Sequence, residues 1–378
     1  MSNPKQNLFA GFDTASKKEW AEQATLTLNN GKLEKYSWQL EDDLILAPYY
    51  DGSDLTPLKK LTFFQNQLFF DQNWPRYWEN LQKIEVKDPL SANHQSREIL
   101  KQADGIIFDL RKTDKVNFEQ LLSHIFFDHY NISFLSSSSH FQAHLENYRD
   151  LVDKRGFDKK DIKSAFTGEN GTDRETMVSA FKNSFEFPYL RVLNLKSDQH
   201  HSSDQIADLL LQAVQLFDFL AGDFDIISIT RKMMLAVSVS TDYFAEMAKI
   251  RALRMLFFQL CQSYGDKFYR PSDIHIHAVS PVWTDEQYQP HANVLKGTTA
   301  AMAAILGGCN SLYIEPGDDK NPALLRLARN ISTIIREESF FDKSTDPAAG
   351  SYYIEALTDK LAQKAWRTFQ ERIKENNN

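Results

Sequence analysis

Residues 234–240 read MLAVSVS and residues 273–279 read DIHIHAV, and both segments have the short, apolar, β-branched character of buried strands. Thr241 lies directly after the first segment and could cap a helix. Apolar residues then recur at helical spacing, at Phe244, Met247, Ile250, Leu253, Leu256, Phe257 and Leu260. A strand, a long helix and a second strand in this order predict two parallel strands joined by a crossover helix.

The same alternation extends in both directions from this unit. Five further strands are predicted, at Gly105–Leu110, Asn131–Leu135, Asp161–Phe166, Arg191–Leu195 and Asn310–Glu315. Helices are predicted from about residue 291 to Gly307-Gly308, where glycine is typical of a C-cap, and after Thr358. Seven strands, with an eighth not located, favour an α/β fold of the (β/α)8 TIM-barrel type over residues 101–378. An open doubly wound sheet is the alternative, although no glycine-rich nucleotide-binding motif follows any strand.

Residues 1–100 differ from this pattern, since strands and helices do not alternate regularly there. They contain four of the six tryptophans, at Trp20, Trp38, Trp74 and Trp78. Exposed aromatic side chains on such an extension would need a partner surface. We therefore expect an extended N-terminal arm over residues 1–100 that wraps a partner.

Composition excludes several classes of function. The 378 residues carry a formal charge of −8, so nucleic-acid binding has no general electrostatic support. No apolar stretch approaches the roughly 20 residues that cross a bilayer, and the first residues show no secretory signal pattern. Two cysteines, Cys261 and Cys309, cannot form a disulfide framework. We expect a cytoplasmic protein that binds neither nucleic acid nor membrane.

Alternation along the strands predicts which side chains face the barrel axis. Leu235, Val237 and Val239 share one face of their strand, and Ile274, Ile276 and Ala278 share one face of theirs. We expect these faces to pack against the outer helices. The opposite faces would then line the axis with small or polar residues, unlike the branched apolar side chains of ordinary barrels. The predicted substrate-channel residues on these strands are Asp109, Ser238, Ser240, His275 and His277. Equally, such residues could lie at strand ends, where any barrel becomes polar.

Motifs for chemistry are scarce. His275 and His277 share a strand face and could begin a metal site with His200, His201 or Asp109, but histidines in a polar interior are the favoured interpretation. Asp273-Ile274-His275 begins like the cobalamin-ligating pattern D-x-H-x-x-G, but Ala278 occupies the glycine position, so that motif is rejected. His200-His201 could supply a general acid, although the surrounding serines and aspartates are typical of a solvated loop. We therefore predict neither a catalytic residue nor a metal site.

Several blocks of residues resemble the methylmalonyl-CoA mutase family, most closely its small, non-catalytic subunits. In the N-terminal hundred residues the matching segments run from Phe12 to Trp20, from Leu33 to Trp38 and over Pro48-Tyr49-Tyr50. Further along, the matching segments are Tyr243–Arg254 (YFAEMAKIRALR), Tyr288–Gly308, Arg329-Asn330, Glu337-Glu338-Ser339 and Asp346–Glu355 (DPAAGSYYIE). The resemblance is in order along nearly the whole chain and is weaker over about residues 55–225.

The resemblance implies a barrel around a substrate channel and an arm that embraces a partner subunit. It also shows three degenerate positions: Lys296 and Ala300 lie in the helix that reads R-T-T-I-E-A in catalytic chains, with Ala300 at its glutamate, and Tyr313 replaces the histidine of S-L-H-T-N. Tyr313 therefore joins the predicted channel residues. The family's cobalamin-binding domain, which carries D-x-H-x-x-G, is not among these residues.

These departures predict a non-catalytic small subunit that binds no cofactor itself. Its partner would be a large catalytic subunit, in a heterodimer that uses adenosylcobalamin to interconvert methylmalonyl-CoA and succinyl-CoA. Two alternatives are a catalytic mutase barrel that uses a cobalamin-binding domain on a separate chain, and a module that has kept only acyl-CoA binding.

Overall fold

The structure is a computed structural model that describes residues 15–28, 32–56, 58, 76–113, 115–168, 174–267, 269–281, 291–318 and 320–376. The strands are β1 (Trp38–Glu41), β2 (Leu44–Leu46), β3 (Glu79–Glu85), β4 (Gly105–Asp109), β5 (Asn131–Ser136), β6 (Ser164–Gly168), β7 (Leu190–Arg191), β8 (Leu193–Lys196), β9 (Met233–Ser238), β10 (Ile276–Ser280) and β11 (Ser311–Ile314).

Helices follow most of the strands. They are α1 (Lys17–Thr27), α2 (Gly52–Leu55), α3 (Pro89–Ile99), α4 (Phe118–Leu121), α5 (Phe141–Arg155), α6 (Arg174–Ser184), α7 (Ser202–Leu220), α8 (Ile226–Arg231), α9 (Tyr243–Ser263), α10 (Ala292–Gly307), α11 (Pro322–Glu337) and α12 (Tyr352–Asn376). Short 3-10 turns occupy Leu33–Tyr36, Pro271–Asp273 and Phe341–Lys343. No helix within these described ranges is long and apolar enough to cross a membrane.

Nine parallel strands form one sheet in the order β7-β6-β5-β4-β3-β11-β10-β9-β8. Only Val192 separates β7 from β8, so the two outermost strands of this order are consecutive pieces of one strand position. The sheet therefore closes on itself around eight positions, and the predicted (β/α)8 barrel is confirmed. The eighth strand, which the sequence did not locate, is β3.

The barrel begins earlier than expected. Both β3 and α3 lie before residue 100, and β3 pairs with β4 and with β11. The boundary expected between residues 100 and 101 is therefore corrected to a position before Glu79. Two strands also begin three residues later than predicted: β6 begins at Ser164 rather than at Asp161, and β10 begins at Ile276 rather than at Asp273.

The described part of the arm packs against the barrel of its own chain. Strands β1 and β2 form an antiparallel hairpin in which Trp38 lies opposite Leu46. Lys364 of α12 forms an ion pair with the buried Glu41 at 3.1 Å, and Lys360 donates to the carbonyl of Ile45 at 3.0 Å. Trp38 itself is 64% exposed. Wrapping of a partner by this arm stays a prediction.

The core lies between the sheet and the helices, as the alternation of the strands predicts. Leu235 and Val237 of β9 are buried in this core, and so is Val239 just after the strand. Ile274, Ile276 and Ala278 join the same cluster, as do Ile106, Phe108 and Leu110. Burial of these branched and aromatic side chains against the outer helices provides the main hydrophobic stabilisation of the barrel.

Candidate functional site

A polar layer fills the amino-terminal end of the barrel axis. The hydroxyl oxygen of Ser311 lies 2.8 Å from Nδ1 of His277 and 3.1 Å from Nε2 of His275. Burial lowers the pKa of His277 to about 4. Burial and the nearby Arg191 guanidinium hold the pKa of His275 well below its usual range. Both imidazoles are therefore neutral at physiological pH and act as hydrogen-bonding groups of a packed interior.

A second chain of hydrogen bonds crosses the same end of the barrel. Asn131 donates from Nδ2 to Glu79 at 2.7 Å, and Ser133 donates to Oδ1 of Asn131 at 2.6 Å. The backbone N–H of Ala165 in turn donates to the Ser133 hydroxyl at 2.9 Å. Burial raises the pKa of Glu79, although the Asn131 hydrogen bond opposes this shift. These polar side chains satisfy one another across three strands, which is the arrangement expected of a structural network.

An apolar plug lies next to this layer, inside the barrel. Leu81, Ile107 and Tyr313 form a cluster separate from the helix-side core, and Leu135 and Val279 pack against it. These five residues, which we call the axial plug, come from five different strands, so they meet only at the axis. The space left beside the plug is a cavity of about 40 Å³, lined in part by His275, His277 and Ser311. Such a volume holds a few water molecules rather than a substrate.

Ion pairs occupy the carboxyl-terminal end of the axis, where barrel enzymes carry their active sites. Lys83 pairs with Glu315 at 3.1 Å and lies 5.0 Å from the centre of the Tyr313 ring. Arg111 holds Asp109 through two hydrogen bonds, of 2.8 and 2.6 Å. Burial raises the pKa of Asp109, but the Arg111 hydrogen bonds outweigh it and the net shift is downward. Asp109 is therefore an ionised, paired carboxylate.

The predicted channel residues Ser238, at the end of β9, and Ser240, just after it, lie beside a buried ion pair. Ser240 donates its hydroxyl to Glu246 at 2.7 Å, and the Ser238 carbonyl accepts a hydrogen bond of 2.6 Å from Lys249. Lys249 is fully buried and contacts both Glu246 and Gln205. Because its charge is surrounded by these partners, the lysine serves to fasten α9 to the end of β9.

The three positions at which the sequence departs from the catalytic pattern do not converge. Tyr313 points into the axis as part of the plug. Ala300, a residue of α10, is fully buried in the helix-side core. Lys296 is half-buried on α10, four residues earlier in the helix. Ala300 is therefore separated from the axis, whereas Tyr313 lies on it.

The metal hypothesis finds no support among the described residues, where no cluster of three histidine, cysteine or carboxylate side chains could hold an ion. His275 and His277 share Ser311, whereas Asp109 lies at the opposite end of the axis. His201 is the residue before α7, on the loop that follows β8, and both His200 and His201 are exposed. This placement agrees with the interpretation of His200-His201 as a solvated loop.

Sequence reasoning missed the axial plug, and its absence from the prediction changes the interpretation of the channel. The prediction placed small polar residues along the whole axis, but the central layer is apolar. Ile107 and Val279 were visible on the axial faces of their strands, whereas Leu81 belongs to the strand that was not located. The lining of a channel by Asp109, Ser238, Ser240, His275, His277 and Tyr313 stays a prediction, and the plug opposes it.

Comparison with known proteins finds similarity to methylmalonyl-CoA mutases. The family model described as methylmalonyl-CoA mutase matches residues 206–376. Over 98% of its length the chain is 27% identical to the methylmalonyl-CoA mutase small subunit of Porphyromonas gingivalis, and the match covers 64% of that protein. A probable methylmalonyl-CoA mutase small subunit of Mycobacterium tuberculosis is 34% identical over 37% of the chain, which is 24% of that protein.

A large subunit is also among the relatives. The methylmalonyl-CoA mutase large subunit of Porphyromonas gingivalis is 34% identical over 35% of the chain and 19% of that protein. The chain therefore spans less than two thirds of the length of the curated relatives it matches. One organism has both a large and a small subunit of this enzyme, and the small subunit is the one that this chain matches along its length.

Proposed function

We propose that this chain, which is 27% identical to a methylmalonyl-CoA mutase small subunit, is a non-catalytic small subunit that stabilises a catalytic large subunit in a heterodimer. In that complex the large subunit would interconvert methylmalonyl-CoA and succinyl-CoA with adenosylcobalamin. The small subunit would contribute a folded barrel and a docking surface. We also propose a cytoplasmic location, and the buried free thiols of Cys261 and Cys309 support it because disulfides are rare in that compartment.

The observation that carries this proposal is the axial plug. Leu81, Ile107 and Tyr313 meet at the centre of the barrel, and the cavity that described residues including Leu81 and Ile107 line there has a volume of about 40 Å³. A thioester threaded along the axis would have to displace these side chains, each of which is buried. Loss of that packing destabilises a core by several kcal/mol, so the barrel favours its own side chains over a ligand in this position.

The polar groups around the plug support the same conclusion. The ionisable groups at both ends of the axis already have partners: Glu315 holds Lys83, Arg111 holds Asp109, and Asn131 donates to Glu79. Catalytic sites instead keep groups aimed at the reacting atoms. Tyr313 stands where the resembled catalytic strand has histidine, which removes a side chain that could transfer a proton at neutral pH.

The residues present do not fit a corrinoid ligated through histidine. Two histidines have aspartate two positions before them, His275 after Asp273 and His200 after Asp198, but neither has glycine three positions after it. His275 is also only 9% exposed and is hydrogen-bonded inside the barrel. A ligating imidazole has to reach a cofactor outside the sheet. This disagreement supports placing adenosylcobalamin on the large subunit, and no step of the reaction is assigned to this chain.

The proposal is tested by producing the large subunit with and without this chain. We expect the two chains to co-purify, and we expect the large subunit to lose activity faster on heating when this chain is omitted. The chain alone, supplied with adenosylcobalamin and methylmalonyl-CoA, is expected to form no succinyl-CoA. Turnover by the chain with a separate cobalamin-binding protein, in the absence of the large subunit, would contradict the proposal and favour a catalytic barrel.

Titration of the chain with acyl-CoA thioesters separates the remaining alternative. A non-catalytic scaffold is expected to show no saturable heat of binding in calorimetry. Saturable binding that Tyr313→Phe leaves intact and a bulky axial variant such as Ser311→Phe abolishes would instead show a retained acyl-CoA site. A substitution far from the axis, for example Leu327→Ser, provides the matched control.

A further inference from the structure

The barrel has a seam where β8 leaves β6. Below the seam, β6 and β7 pair at Ser164–Leu190 and Ala165–Arg191. At the break, the backbone N–H groups of Val192 and Leu193 both donate to the carbonyl of Lys232, at 3.1 and 3.0 Å. Two consecutive donors on one acceptor are typical of a bulge, which bends a strand away from its neighbour. Beyond this bend, β8 pairs with β9.

A side chain spans the seam in place of the backbone ladder. Asn194 donates from Nδ2 to the Phe166 carbonyl at 2.7 Å and to the Thr167 hydroxyl at 2.8 Å. Its Oδ1 is buried and has no hydrogen-bond partner among the residues that the structure describes. An unpaired buried acceptor is unusual in a native protein and marks a place where a donor is missing.

A cavity of about 430 Å³ opens at this seam, between the strands and helices α5, α6 and α7. This size is in the range of small-molecule sites. Its walls are mainly apolar, with Phe141, Met177, Leu193, Leu195, Leu216 and Phe219 among them. The cavity is ten times larger than the space along the axis and shares none of its lining residues.

The polar groups of the seam cavity are mostly neutral amides. Asn194, Gln212 and Gln215 line it, and Gln212 donates to the Lys196 carbonyl at 2.9 Å. Among the described residues that line the cavity, the one cationic side chain is Lys196, which pairs with Asp198 at 2.8 Å. Amide groups hydrogen-bond neutral ligands that carry both a donor and an acceptor, whereas an anion would have to compete with Asp198 for Lys196.

We propose that the seam cavity binds a small uncharged aliphatic molecule bearing an amide group. Its chain packs against the leucine and phenylalanine side chains, and its amide exchanges hydrogen bonds with the side-chain amides at the seam. This site is independent of the large subunit and of the axial plug. If the seam cavity bound no ligand, the proposed scaffold function would be unchanged.

The experiment is a methyl NMR titration of the full chain, labelled at leucine and methionine methyl groups, with hexanamide. We expect saturable shifts at Met177, Leu193, Leu195 and Leu216, with a dissociation constant on the order of 1 mM for so small a ligand. Methyl hexanoate, which has no donor, is expected to bind about tenfold more weakly. Hexanoate is expected to be weaker than hexanamide because of its charge. Absence of saturable shifts at these methyl groups, or tighter binding of hexanoate or the ester, would overturn the proposal.

Filling the cavity provides the matched variants. Leu216→Trp is expected to weaken hexanamide binding at least tenfold, and Leu327→Trp, on the outer face of α11, is expected to leave it unchanged. If Leu216→Trp does not fold, Leu216→Phe adds less volume and is expected to weaken binding by several-fold. Equal binding by the folded Leu216 variant and the Leu327 control would show that the ligand lies elsewhere.

Discussion

The barrel axis and the seam between β6 and β8 differ in how side chains fill the space between the strands. At the axis, five strands contribute Leu81, Ile107, Tyr313, Leu135 and Val279 to one closed apolar plug. At the seam, a bend at Val192 separates two strands, and a single side chain, Asn194, crosses the gap. A barrel can therefore fill the space at its centre and still leave a ligand-sized cavity in its wall.

The largest effect is expected from truncating the plug. Tyr313→Ala removes a ring that is 7% exposed and contacts neighbours on several strands, so we expect a loss of about 3 kcal/mol in the free energy of unfolding. Phe219→Ala, on the seam cavity, is expected to lose only about 1 kcal/mol because this side chain already borders empty space. Urea denaturation with unchanged m-values measures both. Equal losses would erase the difference between axis and seam.

His277, one of the two buried histidines of the axis, is expected to make stability depend on pH. The pKa of His277 is about 4 in the folded chain, below the roughly 6.5 of an unfolded histidine. Its neutral form therefore contributes stability above pH 6.5, and this contribution is lost as the pH falls toward 4, by up to about 3 kcal/mol.

The comparison for this pH dependence is His144, whose pKa is also lowered to about 4 by burial but which lies on helix α5, with its Nδ1 2.8 Å from the Ser136 hydroxyl oxygen. We expect His277→Asn and His144→Asn each to flatten part of the slope between pH 6.5 and 4 in denaturation experiments. A slope unchanged in His277→Asn would show that the axis is hydrated enough for this imidazole to titrate normally.

At the seam, Asn194→Ala removes the side chain that bridges β8 to β6. Two hydrogen bonds are lost, and the Phe166 carbonyl and Thr167 hydroxyl lose their donor, so we expect destabilisation of about 1–2 kcal/mol. Gln215→Ala, an exposed residue of the same cavity, serves as the control and is expected to change stability by less than about 0.5 kcal/mol. A neutral Asn194→Ala would mean that the seam needs no bridge.

The smallest effect is expected at the rim of the axis. Lys83 and Glu315 are each about one-third exposed, so Lys83→Met is expected to lower stability by about 0.5 kcal/mol. Because salt screens such a pair, the difference from the original chain should shrink when unfolding is measured in 1 M NaCl. A loss of several kcal/mol would place this pair within the packed interior rather than at its rim.

Most of the barrel could be predicted because its strands are apolar on the helix side and are separated by amphipathic helices. The run Leu235, Val237, Val239 shows this, since all three side chains entered the core. Strand β3 was missed because its sequence, ENLQKIE, has only two apolar residues, Leu81 and Ile84, and their spacing of three matches neither the alternation nor the continuous apolar run of a strand. The plug was missed with it, since Leu81 completes a cluster that no single strand reveals.

The polar side chains show the opposite limit. His275 and His277 were correctly placed on one strand face, but the sequence could not show that Ser311, from the next strand, joins them. Ser240 was expected at the axis, whereas its partner is Glu246 on the following helix. Pairings between strands depend on register, which is fixed only when all eight positions close together.

Glu41 has a consequence for how the chain unfolds. This carboxylate accepts hydrogen bonds from the backbone and hydroxyl of Ser203 at the start of α7, and it pairs with Lys364 of α12. The β1–β2 hairpin is thereby bonded both to α7, from the middle of the chain, and to α12, the last described helix. Loosening α12 would strip the hairpin of its anchor, so amide protons in β1 and in α12 should exchange with solvent in the same opening event.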